Sequence, residues 1–356
     1  MKIVFSLYLF LLLFFGCNSS QKKSDQGDFL DFNSMPETVE NLENKFQVET
    51  PKEIIKEIPK EIKTSQQVKQ KKVDKKKKVL PIISQNPLTR PVQNTKNVVT
   101  TNILPEDYPK EFEDYDKSSQ ELWKKFKPLY FPGEKIQMEL RYFGITCASI
   151  LISSMPIEKV HNEMTYHYHG RMISAPFYKY LYTLDDTIQT YVAVDGFHPV
   201  KYSIMQRESV QKVDDLQFFN RKSRQTQVWY EKTKRGNLTK YEKTVYTPYF
   251  IQDSYSALFF VRGLPLLEGD IYEFPVVTRG KLWIIKVRVG EREIVKVNDK
   301  PMDAIKVYAQ THFPGVLEKQ GDILFWYSND EYKKLLKFSA KVKLGTLEGE
   351  LVHYEK

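Results

Sequence analysis

The stretch that decides the fold is Ile-Gln-Met-Glu-Leu-Arg-Tyr at residues 136–142, in which apolar and polar side chains alternate. A period of two is typical of a β-strand with one buried and one solvated face. The same alternation recurs at residues 282–289 and 337–344. The sequence therefore predicts a domain built mostly from half-buried strands.

Turn-forming residues separate these strand-like runs. Turns are predicted at Asp195-Gly196, Arg235-Gly236-Asn237, Arg279-Gly280 and Asn298-Asp299. Short turns of this composition connect antiparallel neighbours, whereas parallel strands need long crossover connections. We therefore expect one large curled antiparallel sheet, a β-roll or half-barrel, with one or two short helices.

Two helices are predicted. The first opens the domain, because Ser118 and Glu121 fit a capping box that an i, i+4 apolar pair follows. The second interrupts the strands, with Asp253 as its N-cap and Gly263 as the left-handed residue after its end. We expect this second helix to plug an open end of the curled sheet.

Residues 1–16 are predicted to be a lipoprotein signal peptide. Lys2 precedes about a dozen apolar residues, too few to span about 30 Å of hydrocarbon but enough for a signal core. The run ends in Phe14-Phe15-Gly16-Cys17, which resembles the bacterial lipobox. This resemblance implies cleavage before Cys17 and acylation of that residue, a stable membrane anchor. The alternative is an ordinary cleaved signal with an incidental cysteine.

Residues 17–104 are predicted to be a lipidated, disordered, Lys-rich tether, since they contain few aromatic residues and no sustained apolar period. Between residues 18 and 104 there are 16 Lys plus Arg and 11 Asp plus Glu, so 16 − 11 = +5 of the whole-chain charge of +9 lies here. Asn18, not aspartate, follows Cys17, from which we expect an outer-membrane location facing the periplasm.

Residues 105–356 are predicted to be the folded β-rich domain. Because most of the excess positive charge lies in the tether, a nucleic-acid partner is not expected. With Cys17 acylated, Cys147 is the only other cysteine. The domain is therefore expected to fold without a disulfide, and Cys147 to be a small buried hydrophobic residue.

Several short motifs follow one another in order: Phe131-Pro132-Gly133-Glu134, Arg141-Tyr142-Phe143-Gly144-Ile145, Gln252-Asp253-Ser254, Gly269-Asp270, and Trp326-Tyr327-Ser328-Asn329-Asp330 before residues 343–349. In this order and spacing they resemble the bacterial envelope family called domain of unknown function 3108 (DUF3108), over about residues 129–356. The resemblance implies an extracytoplasmic, antiparallel β-rich domain. It implies no established activity and so transfers no catalytic residue.

No catalytic motif is present. His167 and His169 lie two apart on a predicted strand and can share a metal, but a metal site normally needs three or four ligands. The alternative is that both histidines lie on an exposed or rim-facing strand and bind no metal. Asp185 and Asp186 would point to opposite faces of a strand and fit a turn better, so they do not support a general acid–base pair. No nucleophile elbow, phosphate loop or dinucleotide fingerprint occurs. We expect no enzyme activity, no cofactor and no metal.

Binding is the remaining class of function. Tyr178, Tyr180 and Tyr182 are predicted to share one strand face and are the candidate ligand-binding residues, although aromatic residues in a curled sheet can also form core. Two functions stay open. One is binding of an apolar or amphipathic ligand, such as a lipid; the other is docking on cell wall or an envelope protein. A connected apolar cavity would favour the first, and a packed core with an exposed aromatic patch the second.

Overall fold

The computed structural model describes residues 48–49, 104–312, 320–342 and 345–356. The chain divides into two units, one comprising Met1–Pro51 with Glu106–Lys356 and the other Lys52–Pro105. The fold below is that of the first unit. Cys17, the predicted signal peptide and the predicted tether apart from residues 48–49 and 104 lie outside the described residues.

Strands dominate the described part of the chain. They are β1 (Val48–Glu49), β2 (Lys135–Tyr142), β3 (Ile145–Ser154), β4 (Glu158–Val160), β5 (Glu163–Ser174), β6 (Asp185–Ala193), β7 (Pro199–Arg207), β8 (Gln211–Asn220), β9 (Gln225–Lys234), β10 (Asn237–Tyr246), β11 (Gln252–Asp253), β12 (Ile271–Thr278), β13 (Lys281–Val297), β14 (Lys300–His312), β15 (Gln320–Ser328), β16 (Leu335–Lys341) and β17 (Thr346–Glu355). The helices are α1 (Lys110–Lys125) and α2 (Ser256–Gly263), with a short 3-10 helix at Tyr178–Tyr180. Neither α1 nor α2 has the length and apolar character needed to cross a bilayer.

The strands form one large unclosed sheet, which confirms the predicted fold class. Hydrogen-bonded neighbours run in the order β11, β12, β13, β14, β15, β16, β17, β2, β3, β5, β6, β7, β8, β9 and β10. β4 pairs with the first residues of β5, on the same side of β5 as β3, and β1 pairs with β4. The last strand thus joins β2, so the two ends of the domain sequence meet in the middle of the sheet.

One pair departs from the predicted antiparallel pattern. β11 and β12 are parallel, because α2 lies between them in sequence and provides the crossover that parallel neighbours require.

The predicted turns are confirmed. Arg279 and Gly280, for example, have φ of 52° and 64°, and two consecutive positive φ values are typical of the tight hairpin turn that suits twisted strands.

Helix α2 lies against the concave face of the sheet. Phe259 stacks on Tyr168 of β5 with ring centroids 3.5 Å apart, and Phe260 lies 4.9 Å from Phe274 of β12. Tyr327 of β15 donates a hydrogen bond of 3.3 Å to the helix backbone. Because these strands are far apart in the pairing order, the sheet curls around the helix, as expected for a plug.

The helix ends differ in part from the sequence prediction. Helix α1 begins at Lys110, so the predicted capping box is wrong: Ser118 lies within the helix and donates to the Tyr115 carbonyl oxygen. The first turn instead contains two acidic residues, which favour a helix N-terminus. At α2 the N-cap residue is Tyr255, so the prediction of Asp253 as N-cap was wrong by two residues. Asp253 Oδ1 still accepts the N–H groups of Tyr255 and Ser256 at 2.7 and 2.8 Å at the start of the helix.

Gly263 has a different role from the one predicted. It is the last residue of α2 and does not have a left-handed φ. A Cβ at this position would lie 2.2 Å from Cε2 of Phe126 and 2.6 Å from the Lys127 carbonyl oxygen. Glycine is therefore required for the close approach of the segment that follows α1, where the Phe126 ring stacks on Phe260.

Candidate ligand-binding site

An apolar cavity lies between α2 and the concave face of the sheet. It has a volume of about 70 Å³ and is lined by side chains of α2, β2, β3 and β12–β16, among them Met138, Ile150, Val261, Phe274, Phe325 and Phe338. A bound water needs about 10–15 Å³ of such volume and at least two polar partners. The cavity has the room but little polar surface, and apolar cavities of this kind stay dry and take apolar ligands.

Small side chains leave this space open. Ala257 of α2 and Ala309 of β14 both line the cavity and are buried. Ile285, Thr311 and Phe325 also line it but are only half-buried. The cavity therefore reaches solvent at the end of β14, while its inner wall is closed.

A group of buried polar residues adjoins the apolar cavity. We call Tyr202, Asp215, Gln217, Gln252 and Ser254 the polar cluster; Ser254 also lines the cavity. Each is buried. In the described part of the chain, no hydrogen bond of ordinary geometry reaches the hydroxyl oxygens of Tyr202 and Ser254, the Asp215 carboxylate, the Gln217 amide or the Gln252 amide oxygen. The hydroxyl groups of Tyr202 and Ser254 nevertheless lie close enough to interact, as do Gln217 and Arg279 with the Asp215 carboxylate.

Buried polar atoms of this kind are costly unless water or a ligand meets them. The cluster contains both acceptors and donors, so a hydroxyl-bearing group fits it chemically. Asp215 Oδ2 lies 3.4 Å from Nε of Arg279, on the turn between β12 and β13. Burial raises the pKa of Asp215 to about 6, an increase that Arg279 limits, so the carboxylate is mostly ionised at neutral pH and able to accept hydrogen bonds.

The tyrosines predicted to share a strand face do not do so. Residues 178–180 form the 3-10 helix between β5 and β6. Tyr180 is 91% exposed, Tyr178 is half-buried and Tyr182 is 7% exposed. The strand prediction was wrong because β5 ends before Pro176, which has no N–H to donate to a sheet. None of the three lines the cavity, and their role in ligand binding stays a prediction.

Tyr182 belongs to a buried acidic group. Its hydroxyl donates to the Glu208 carboxylate, and Gln206 Nε2 donates to Asp186 Oδ2 at 3.1 Å. Burial and the charge of Glu208 raise the pKa of Asp186 to about 7. The predicted turn at Asp185-Asp186 was wrong, because both residues lie in β6: Asp185 is exposed and pairs with Arg171, whereas Asp186 faces inward.

His167 and His169 lie on β5, and His167 is engaged by neighbouring side chains. His167 is buried, with Nδ1 3.2 Å from Glu158 and Nε2 2.9 Å from Gln189, and it stacks on Tyr191. Burial, His167 and Arg171 lower the pKa of His169. Among the residues that the structure describes, no three His, Cys, Asp or Glu side chains come together as metal ligands.

Residues 137–352 match the model of a protein family of unknown function, DUF3108. The chain therefore belongs to this family, as the sequence motifs indicated. No functionally curated protein matches the chain.

Among the solved structures to which this chain is similar, three share little sequence with it. A β-barrel-like DUF1849 protein from Brucella abortus is 11% identical, with 64% of this chain and 98% of that chain covered and a TM-score of 0.43. A Bacteroides fragilis protein with a YmcC-like fold, assigned as exported, is 11% identical over 65% of this chain and 100% of that chain, with a TM-score of 0.30. A Parabacteroides distasonis protein assigned as a lipoprotein is 9% identical over 65% and 99%, with a TM-score of 0.30.

Proposed function

We propose that this protein is a non-catalytic, lipid-anchored envelope protein whose β domain binds an amphipathic ligand. The apolar part of the ligand occupies the cavity beneath α2, and a hydroxyl-bearing head group contacts the polar cluster. The observation that supports this most strongly is the position of Ser254, which lines the apolar cavity and belongs to the polar cluster. An amphipathic molecule matches both surfaces at once.

Docking on cell wall or an envelope protein is the competing function. It requires no interior space, whereas the core beneath α2 contains a cavity that opens at the end of β14. The cavity therefore favours ligand binding as the function of the β domain.

Membrane attachment belongs to the same proposal. Acylation of Cys17 anchors the chain in the outer membrane, facing the periplasm, and the tether lets the β domain reach its ligand. The lipobox-like Phe14-Phe15-Gly16-Cys17 supports this. Cys17→Ser is expected to abolish membrane attachment of the processed chain, as measured by cell fractionation and intact mass. A Cys17→Ser protein that remains in the membrane after signal removal would contradict the anchor.

The ligand-binding part is tested by filling the cavity. The delipidated protein is titrated with a dansyl-labelled fatty acid, and we expect enhanced, saturable fluorescence. Ala309→Phe places a ring in the cavity and should abolish this binding. Ser339→Phe is the matched control, because Ser339 alternates with the inward-facing Phe338 of β16 and lies on the other face of the sheet.

Both variants must keep a cooperative thermal transition for the comparison to hold. Equal binding by wild type, Ala309→Phe and Ser339→Phe would contradict the cavity as the ligand site.

A further inference from the structure

Five exposed apolar side chains gather at one rim of the sheet. They are Phe143, Ile145, Phe177, Tyr180 and Leu181, which are 70%, 60%, 74%, 91% and 72% exposed. We call them the aromatic rim. They lie on or beside the β2–β3 turn and on the β5–β6 connection. Large apolar groups clustered at such exposure mark an interaction surface, whereas single exposed apolar residues need no explanation.

The two segments of the aromatic rim are held together by defined contacts. The Ala175 N–H donates to the Cys147 carbonyl oxygen at 2.9 Å, which fixes the β5–β6 connection against β3. Phe143 has a φ of 49°, and its ring packs edge-on against Tyr142 with centroids 4.5 Å apart. The exposed rings therefore lie on segments that backbone hydrogen bonds and ring contacts hold in place.

The acidic side chains beside the aromatic rim are paired with arginines, and a lysine lies within it. Residues 142–145 and 175–184 contain no Asp or Glu, and they contain Lys179. Glu139, which accepts a hydrogen bond from Thr146 beside Ile145, is paired with Arg141 at 3.2 Å. The nearest acidic residue after the β5–β6 connection, Asp185, is paired with Arg171 at 2.9 Å. Exposed aromatic rings with a lysine and no unpaired acidic side chain beside them match the interface of an anionic bilayer, where the rings enter the head-group region and the lysine contacts lipid phosphates.

The sheet register places this rim at the open end of the cavity. Ile145 pairs with Tyr142, Tyr142 with Leu347, Leu347 with Ala340, and Ala340 with Ile323, a residue that lines the cavity. This row of paired residues crosses the strands at one level. The aromatic rim and the half-buried mouth of the cavity thus lie at the same end of the strands.

We propose that the aromatic rim docks on the surface of an anionic phospholipid bilayer and turns the mouth of the cavity toward the lipid. The route of the ligand between bilayer and cavity rests on the proposed function, but the docking itself does not. Docking by the rim is separate from anchoring through Cys17 and should persist in a chain without acyl groups.

The test uses the full chain from residue 18, which lacks the signal peptide and the acyl groups, in flotation with vesicles of phosphatidylethanolamine and phosphatidylglycerol. The rim variant carries Phe177→Ser, Tyr180→Ser and Leu181→Ser. The control variant carries Leu238→Ser, Leu267→Ser and Ile294→Ser, at sites that are 62%, 60% and 68% exposed elsewhere on the domain. The basic tether is common to all chains, and raised salt screens its contribution.

We expect the rim variant to bind vesicles at least about tenfold more weakly than wild type, since removing one large apolar side chain from the lipid already has an effect of about this size. The control variant should bind as wild type does. Equal vesicle binding by all three chains at raised salt overturns the proposal. So does a rim variant that binds vesicles as strongly as wild type but loses binding to a protein. Ala309→Phe should still bind vesicles. A wild-type protein that docks on vesicles but does not bind the dansyl-labelled fatty acid would refute the cavity as the ligand site and not the rim.

Discussion

Arg262 at the end of α2 and Glu134 just before β2 form a buried two-point ion pair. Nη1 and Nη2 of Arg262 lie 2.7 and 2.6 Å from the two carboxylate oxygens of Glu134, and the side chains are 3% and 2% exposed. The Tyr354 hydroxyl donates to the same carboxylate at 3.0 Å, and Arg262 also donates to the Tyr332 carbonyl oxygen. This pair fixes the helix that forms one wall of the cavity to β2 and β17.

Glu134→Gln should therefore be strongly destabilising. It leaves the buried Arg262 charge without its partner, and the expected loss is about 3 to 5 kcal/mol in the free energy of unfolding. Urea denaturation of the two proteins measures it. Glu355→Gln is the control, because Glu355 makes an exposed ion pair with Lys135 at 3.0 Å and should leave the midpoint nearly unchanged. Equal midpoints for Glu134→Gln and wild type would show that the pair does not hold α2.

Tyr180 and Tyr182 should respond to truncation in opposite ways. Tyr180→Ala removes an exposed side chain and should change stability by less than about 0.5 kcal/mol. Tyr182→Ala removes a buried ring and the hydroxyl that donates to Glu208, so a loss of about 3 to 5 kcal/mol is expected. Denaturant melts compare the two directly, and a loss of several kcal/mol for Tyr180→Ala would mean that this side chain is core.

Asp186 should make stability fall as pH rises from about 4 to 7. Its pKa is about 7 in the folded protein and about 4 in an unfolded chain, so the folded state holds this proton more strongly. The resulting stabilisation is complete below pH 4 and is lost as the pH passes 7. Wild type should thus lose a few kcal/mol relative to Asp186→Asn over this range.

Asp185 provides the matched control for this pH dependence. Its exposed pairing with Arg171 lowers its pKa, so its stabilisation is present above the unfolded pKa and is lost as pH falls. Asp185→Asn should therefore change the pH slope in the opposite direction. Parallel pH profiles for wild type and Asp186→Asn would contradict the buried position of Asp186.

Cys147 should be chemically inert in the folded protein. The side chain is 1% exposed, and burial raises the pKa of its thiol to about 11, which leaves almost no reactive thiolate at neutral pH. We expect no labelling by iodoacetamide without denaturant, rapid labelling in urea, and a melting temperature that reductant does not change. Fast labelling of the native protein would place Cys147 at the surface.

The sequence predicted the strands and turns well because both depend on local physics. Alternation such as that of residues 136–142 follows from one buried face, and positive φ at Gly280 favours glycine. The 3-10 helix at Tyr178–Tyr180 was mistaken for a strand because its aromatic spacing resembles one, although Pro176 indicated a break.

The candidate site could not be predicted because the curl of the sheet creates it. Ala257 and Ala309 line the cavity only where α2 meets β14, and alanine has no distinctive sequence signal. Asp215 of β8 is buried near Arg279, which lies on a turn more than sixty residues later in the chain. Such partners are set by tertiary packing and not by local pattern.

The most direct test of the central claim is native mass spectrometry of the acylated protein, released gently from its membrane. The account predicts a wild-type mass that exceeds the acylated chain by the mass of one bound amphipathic molecule. It also predicts that Ala309→Phe carries no such molecule while Ser339→Phe retains it. Wild-type protein that has only the mass of its acylated chain, with the same result for both variants, would contradict ligand binding in the cavity.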